Sequence, residues 1–202
     1  PMAPYNGSTL MGQVINRLIN HVKHIHVTVG YKKSLLAPYV IERGVSSVFN
    51  TEGKSNCWWL YNTPMKYLDE PIYVLTCDHI AVIDFDQLEQ SHQKLNNPPC
   101  MLMPAHPVAG VEGDYISHRN QVITAIDPTK VTNMYCSGIQ ILNPSQVNLL
   151  TAEGDGFYSL WQQLIKQENL LVSPVFPDPW FSVDTLEQLK GCGAMNFKAG
   201  QE

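Results

Sequence analysis

The chain has 202 residues, a length within the roughly 50–250 residues of one domain, and 44% of them are hydrophobic, as in ordinary globular proteins. Its net charge of −5 comes without a block of basic residues, so the electrostatic footprint of a nucleic-acid-binding protein is missing. No apolar stretch approaches the roughly 18 residues of a membrane span, no signal-like segment is seen at the start, and Cys57, Cys77, Cys100, Cys136 and Cys192 lack Cys-x-x-Cys spacing, so a cytoplasmic protein with free thiols is expected.

Leu10, Val14, Ile15, Leu18, Ile19 and Val22 recur at helical spacing, with Ser8 or Thr9 placed to cap the helix they define. His26 to Tyr31 predicts a short strand ending near Gly30, followed by a helix from Ser34 to Glu42 and a strand from Ser46 to Phe49. A turn over Thr51 to Ser55 leads into an apolar helix from Asn56 to Tyr67, which Pro64 should kink or end. Ile72 to Cys77 is apolar and β-branched, like a strand buried on both faces of a parallel sheet. A helix from Phe85 to Leu95 and a strand from Cys100 to Met103 complete a β-α-β-α-β alternation. That order predicts an α/β fold with a doubly wound, mainly parallel, Rossmann-like sheet and helices on both faces.

The second half predicts a small antiparallel part. Asp114 to Ser117 and Gln121 to Ile126 form a hairpin across Arg119-Asn120, and Met134 to Leu142 is a longer strand closed by Asn143-Pro144. Phe157, Leu160, Trp161, Leu164 and Ile165 mark an amphipathic helix, and Leu170 to Phe176 a further strand. From Trp180 an extended segment enters a last helix with Asp184 or Thr185 as its cap. No repeat or linker interrupts the chain, so residues 1–202 are expected to form a single domain.

Asp78 closes the Ile72 to Cys77 run, and ligands of open α/β sheets gather at the carboxyl ends of their strands. A carboxylate there is placed for a metal or phosphate site. The rival reading is a cap for the following turn. Cys77-Asp78-His79 also suggests thiol chemistry, but in a regular strand residues two apart are about 6.6 Å apart and the middle one faces the other way. These three are therefore not expected to form a catalytic triad. His24 and His26 share a strand face and read as surface residues, and Trp58 and Trp59 as core.

With these residues in place, the chain resembles the sugar-phosphate nucleotidyltransferases, which share a Rossmann-like fold. Pro1 to Leu10 resembles the end of the family's first Pro-rich segment, Leu75 to Asp78 its magnesium-binding strand end with Cys77 in place of a Gly, and Ile83 to Leu88 the start of the next helix. Cys136 to Pro144 resembles its Gly-Ile strand beside the sugar, and Trp180 to Leu189 its Trp-x-Asp-x-Gly-Thr-x-x-x-Leu ending. The strand and glycine-rich loop that cradle the triphosphate in this family do not precede Pro1, so weak or silent catalysis by these residues is an expectation.

The resemblance implies transfer of a nucleotidyl group from a nucleoside triphosphate to a sugar-1-phosphate or phospho-alcohol, with release of pyrophosphate and use of Mg²⁺. It places Asp78 as catalytic metal ligand and Asp184, displaced from the family's second Asp at the position of Ser182, as the other ligand or a helix cap. Gly53, Lys54 and Asn56 fall in the base- and phosphate-binding turn, and Asp114, Ser137 and Gly138 on the acceptor side. The alternatives are a non-catalytic relative that binds a nucleotide sugar or a protein, and a glycosyltransferase that also uses an Asp and a metal.

Overall fold

The computed structural model describes residues 1–108 and 111–194, apart from the side chains of Leu186 and of 192–194. The Cys192 thiol thus lies outside the described residues. Two short strands, β1 (Pro4–Tyr5) and β2 (Ser8–Thr9), pair around the turn at Asn6-Gly7 and lead into α1 (Leu10–Leu18). Thr9 caps that helix, its hydroxyl accepting the Gly12 amide at 3.0 Å, and Ile15 and Leu18 on its inner face are buried.

Next come β3 (His26–Val29), α2 (Lys33–Ile41) and β4 (Ser47–Asn50). β3 and β4 form a parallel pair, with Val27 and Val29 buried against Ile15, Leu36 and Val40. The expected helix of residues 56–67 is split: α3 (Trp58–Asn62) ends at Thr63, and Pro64–Tyr67 is a 3-10 turn. Pro64 has no amide to continue the helix, whereas it suits the first position of the new turn, which Thr63 caps through the Met65 amide.

β5 (Ile72–Val74), β6 (His79–Ala81), α4 (Phe85–Lys94), β7 (Cys100–Ala105), β8 (Tyr115–Arg119), β9 (Val122–Asp127) and β10 (Tyr135–Leu142) follow. α5 (Pro144–Leu150), α6 (Phe157–Ile165), β11 (Leu170–Val172), β12 (Trp180–Ser182) and α7 (Leu186–Ala194) complete the described elements. The main sheet has six strands in the order β5-β10-β7-β11-β9-β8. Alternate residues of its central strand β7 face opposite layers: Cys100 and Leu102 pack with Leu142, Leu160 and Leu164, while Met101 and Met103 pack with Leu18, Phe85 and Leu88. α3, α5 and α6 therefore cover one face, and α1 and α4 the other.

The α/β class stands, but the main sheet is mixed rather than mainly parallel. Within it β11 runs parallel to β7, whereas β10 is antiparallel to β5 and β7, and β9 to β8 and β11. One element differs from expectation because of the insertion of β10. It separates β5 from β7, leaving Ile72–Val74 a half-buried end strand rather than one buried on both faces. β10 ends at Leu142, where Asn143-Pro144 is expected to close it, and Asn143 there caps α5, accepting the Gln146 amide at 3.1 Å.

Candidate functional site at the end of β5

The antiparallel register of β10 on β5 brings the start of β10 to the carboxyl end of β5. There the backbone leaves the strand at Leu75 and resumes as β6 at His79, so the regular alternation expected for Cys77, Asp78 and His79 is broken. As a result His79 Nε2 lies 3.8 Å from Asp78 Oδ1 instead of on the far face. β6 is held by β12, Ser182 facing His79, and the Val183 amide donates to the Asp78 carbonyl at 2.8 Å. The last described strand thereby clamps the Asp78 backbone.

His79 is fixed on several sides. Its Nδ1 shares a hydrogen bond of 2.7 Å with Thr76 Oγ1, and its ring lies 5.2 Å from that of Trp180. Trp180 in turn donates from its indole nitrogen to the Ser137 carbonyl at 3.2 Å. Gly138, at the bulge of β10, has φ +77°, and a Cβ on it would lie 2.6 Å from His79 Cε1. Glycine is needed there both for the left-handed backbone and for the approach of the imidazole. Burial pushes the His79 pKa down, against a smaller upward pull from Asp78 and then Asp184, so the ring is neutral near pH 7.

Asp78 is the least satisfied group of this centre. Its carboxylate is half exposed, yet Oδ1 is shut off from solvent and has no hydrogen-bond partner among the described residues. An anionic oxygen in that state is costly unless a cation or a donor meets it. Asp184 is close enough to act electrostatically on His79, and its Oδ2 accepts the Ser182 hydroxyl at 3.0 Å. It does not cap α7. Thr185 Oγ1 accepts the Gln188 amide at 3.2 Å while Gln188 Oε1 accepts the Asp184 and Thr185 amides, a capping box that does not use the Asp184 carboxylate.

The other expected site residues are distributed around this point. Gly53, with φ +69° and open space where a side chain would be, and Lys54 lie in the turn after β4. Lys54 Nζ sits 5.7 Å from the Trp58 ring centroid. The thiol of Cys77, just before Asp78, packs against the β3–β4 layer, which joins that turn's strand to the end of β5. Burial holds this thiol above its ordinary pKa and so in the protonated form, unsuited to attack as a nucleophile. Asp114 lines an open hollow of about 510 Å³ with Tyr115, Pro128 and Tyr135, and its carbonyl accepts the Cys136 amide.

Two expected contacts are occupied by the fold itself. Asn56 Oδ1 accepts the Phe157 amide at 2.9 Å and so caps α6 from outside. Ser137 is fully buried, its hydroxyl donating to the Met103 carbonyl and accepting the Ile139 amide across the bulge, so it shapes the acceptor side without facing it. Sequence reasoning missed Thr76, His79 and Arg17, which line one small hollow. Arg17 Nη1 donates to the Ala81 carbonyl, and burial lowers its pKa. Only the adjacency of Thr76 and His79 to Asp78 hinted at them. His24 and His26 stay exposed, bonded to Ser46 and Ser47.

No protein-family model matches the sequence, and no curated protein sequence does. Solved structures do. A candidate glucose-1-phosphate thymidylyltransferase from Bacillus anthracis aligns with a TM-score of 0.76 at 12% identity, covering 100% of this chain and 87% of that one. The chain has the sugar-phosphate nucleotidyltransferase fold. The inositol-1-phosphate CTP transferase of T. maritima aligns at 0.71 with 14% identity over 93% of this chain and 81% of that one. The CTP:phosphocholine cytidylyltransferase of Streptococcus pneumoniae aligns at 0.70 with 13% identity over 96% and 87%. At such identity the likeness is one of backbone, and chemistry has to be argued from the residues.

Proposed function

We propose that this chain, as one nucleotidyltransferase-like domain, transfers a nucleotidyl group from a nucleoside triphosphate to a sugar-1-phosphate or phospho-alcohol and releases pyrophosphate. The observation that carries the reading is the orphaned, buried Asp78 Oδ1 at the carboxyl end of β5 in this fold. A hard, oxygen-seeking divalent cation such as Mg²⁺ fits that donor, with Asp184, which acts electrostatically on the same His79, as a second carboxylate. Bound there, it would offset charge on the phosphoryl oxygens.

In the reaction an oxygen of the acceptor phosphate attacks the α-phosphorus in line, and the bond to the pyrophosphate oxygen breaks. No protein nucleophile is needed, so the protonated Cys77 thiol is consistent with the scheme. Asp78 and Asp184 would hold the charge-compensating cation, the turn at Gly53 and Lys54 would offer backbone amides and an ammonium to the nucleotide, and Gly138 and Asp114 would border the acceptor. The chain's part is positioning and electrostatic stabilisation, the main sources of rate in phosphoryl transfer. Among the described residues no helix is long and apolar enough to cross a membrane.

The test is pyrophosphate release by the full chain with four nucleoside triphosphates and a panel of sugar phosphates and phospho-alcohols. Release that requires both a divalent cation and one class of phosphorylated acceptor is the expected result. Failure to bind any nucleotide in calorimetric titration with Mg²⁺ present would remove the reading.

A further inference from the structure

The open hollow of about 510 Å³ beside Asp114 is lined by two phenol rings, Tyr115 and Tyr135, two carboxylates, Glu112 and Asp114, and the apolar Val111 and Pro128, with no cationic side chain. Among the described residues the ion pairs lie elsewhere, at Lys33–Glu52 and Asp78–His79, so neither of these carboxylates is balanced by the fold. We infer that the hollow receives an alkylammonium head, and that the acceptor of the transfer is an ammonium-bearing phospho-alcohol rather than a sugar-1-phosphate. The inference rests on the proposed transfer for there being an acceptor and goes beyond it in naming the acceptor's chemical class.

The topology puts the hollow within reach of the reacting end. β10 is antiparallel to both β5 and β7, so the carboxyl ends of those two strands share one edge of the sheet, the edge where β10 begins. Tyr135, the first residue of β10, pairs with Ala105 at the end of β7 and with Tyr115 at the start of β8. Gly138, against His79 at the end of β5, stands three residues further along, at most roughly 10 Å at about 3.3 Å per residue. A phosphate and a charged head joined by a short carbon chain span such a gap.

The walls are set before any ligand arrives. The two ring centroids are 4.7 Å apart with their planes inclined at 59°, which makes a corner. Tyr135 is buried and shares its hydroxyl proton between the Val111 carbonyl and the Tyr115 hydroxyl, each at 3.2 Å, so the half-buried Tyr115 ring is pinned. Gly113 packs onto Tyr135 so closely that a Cβ would lie 3.0 Å from the ring, and the Asp114 carbonyl accepts the Cys136 amide at 2.8 Å. These contacts hold down the segment that carries both carboxylates.

Aromatic faces and carboxylates have one guest in common. A ring attracts a cation within about 6 Å of its centroid, and a weakly hydrated alkylammonium gives up little to come that close. A neutral sugar would cover both carboxylates without balancing them, at a cost in desolvation. A small metal ion needs several converging oxygens, and no such cluster occurs among the described residues. The volume falls in the range of roughly 300–1,000 Å³ usual for sites of small ligands.

Phosphocholine and its all-carbon analogue, in which a tert-butyl group replaces the trimethylammonium, are the probes, because they differ in charge and hardly in shape. In calorimetric titration of the full chain the charged probe should bind about tenfold tighter than the neutral one. That ratio should fall toward one in the double variant Glu112→Gln, Asp114→Asn and in Tyr115→Leu, and return in Tyr115→Phe, which keeps the ring face. The comparison of the two probes needs no substitution, so it stands even if a variant fails to fold. Equal affinity for the probes, binding of neither, or tighter binding of glucose-1-phosphate would overturn the inference. Pyrophosphate release with a sugar phosphate would in that case leave the proposed transfer standing. Preference for the charged probe, with no pyrophosphate release from any nucleoside triphosphate, would remove the transfer and keep the ligand of the hollow.

Discussion

Two polar clusters in this molecule sit on either side of the strand β10 and end differently. In the first, the buried Gln140 accepts from the Trp161 indole at 3.0 Å and from the Cys100 thiol at 3.3 Å with a single oxygen, so that oxygen and both donors are paired. In the second, Thr76 and His79 share a hydrogen bond, but the chain of contacts stops there, and Asp78 Oδ1, 3.8 Å beyond the ring, has no hydrogen-bond partner among the described residues. A satisfied buried network fastens secondary structures together. One that stops at a charge leaves an acceptor unmet, which a donor or a cation can satisfy.

The comparison is broken most severely at its open end. Asp78→Asn keeps the volume but removes the charge, and divalent-dependent nucleotide binding and turnover should fall by about 10²- to 10³-fold. The melting temperature should hold or rise, because an unmet buried anionic oxygen is gone. A loss of folding instead of binding, read by thermal melting beside calorimetric titration, would mean that Asp78 belongs with the structural cluster. The closed cluster should respond in the opposite sense. Gln140→Leu strands the Trp161 and Cys100 donors and should cost about 1–3 kcal/mol in chemical denaturation, with metal affinity unchanged.

Gly138→Ala tests the seam between the two. Placing a Cβ on a residue with φ +77° should cost about 1–2 kcal/mol, and the 2.6 Å approach to His79 should weaken divalent binding as well. The smallest effect is expected from pH. His92 is buried and its pKa is held down by desolvation, partly countered by the Pro98 carbonyl and Asn97. The folded state then binds fewer protons than the unfolded one, so this residue lowers stability as pH falls below its ordinary value of about 6.5. In His92→Gln the drop in melting temperature between pH 7 and pH 5 should be shallower than in the wild type.

Much of the fold was legible because periodicity is local. The helices on Leu10 to Leu18, Phe85 to Lys94 and Phe157 to Ile165 and the hairpin around Asn120 occur close to where spacing and turn chemistry place them. The strand direction within the sheet was not legible, because β10 carries the same apolar pattern whichever way it runs beside β5 and β7. The place of Asp78 beyond the end of β5 was readable from the apolar run before it. His79 was not, because the expectation assumed a strand continuing through residue 79, and the bend at Thr76–Asp78 depends on β12, far along the chain. Asn56 and Ser137 were misplaced for a related reason: each answers a backbone group, on α6 and on β7, that no local pattern announces.

The pairing of Ser182 with His79 also sets a timetable. Half of the clamp on Asp78 comes from residues about a hundred positions later, and contacts so distant in sequence form slowly because a long loop must close first. A nascent chain can assemble α1, the β3–β4 pair and much of the six-stranded sheet while the end of β5 still lacks its partner. The centre is therefore a late product of synthesis, and the unfinished protein carries an incomplete site until β12 has left the ribosome and docked on β6.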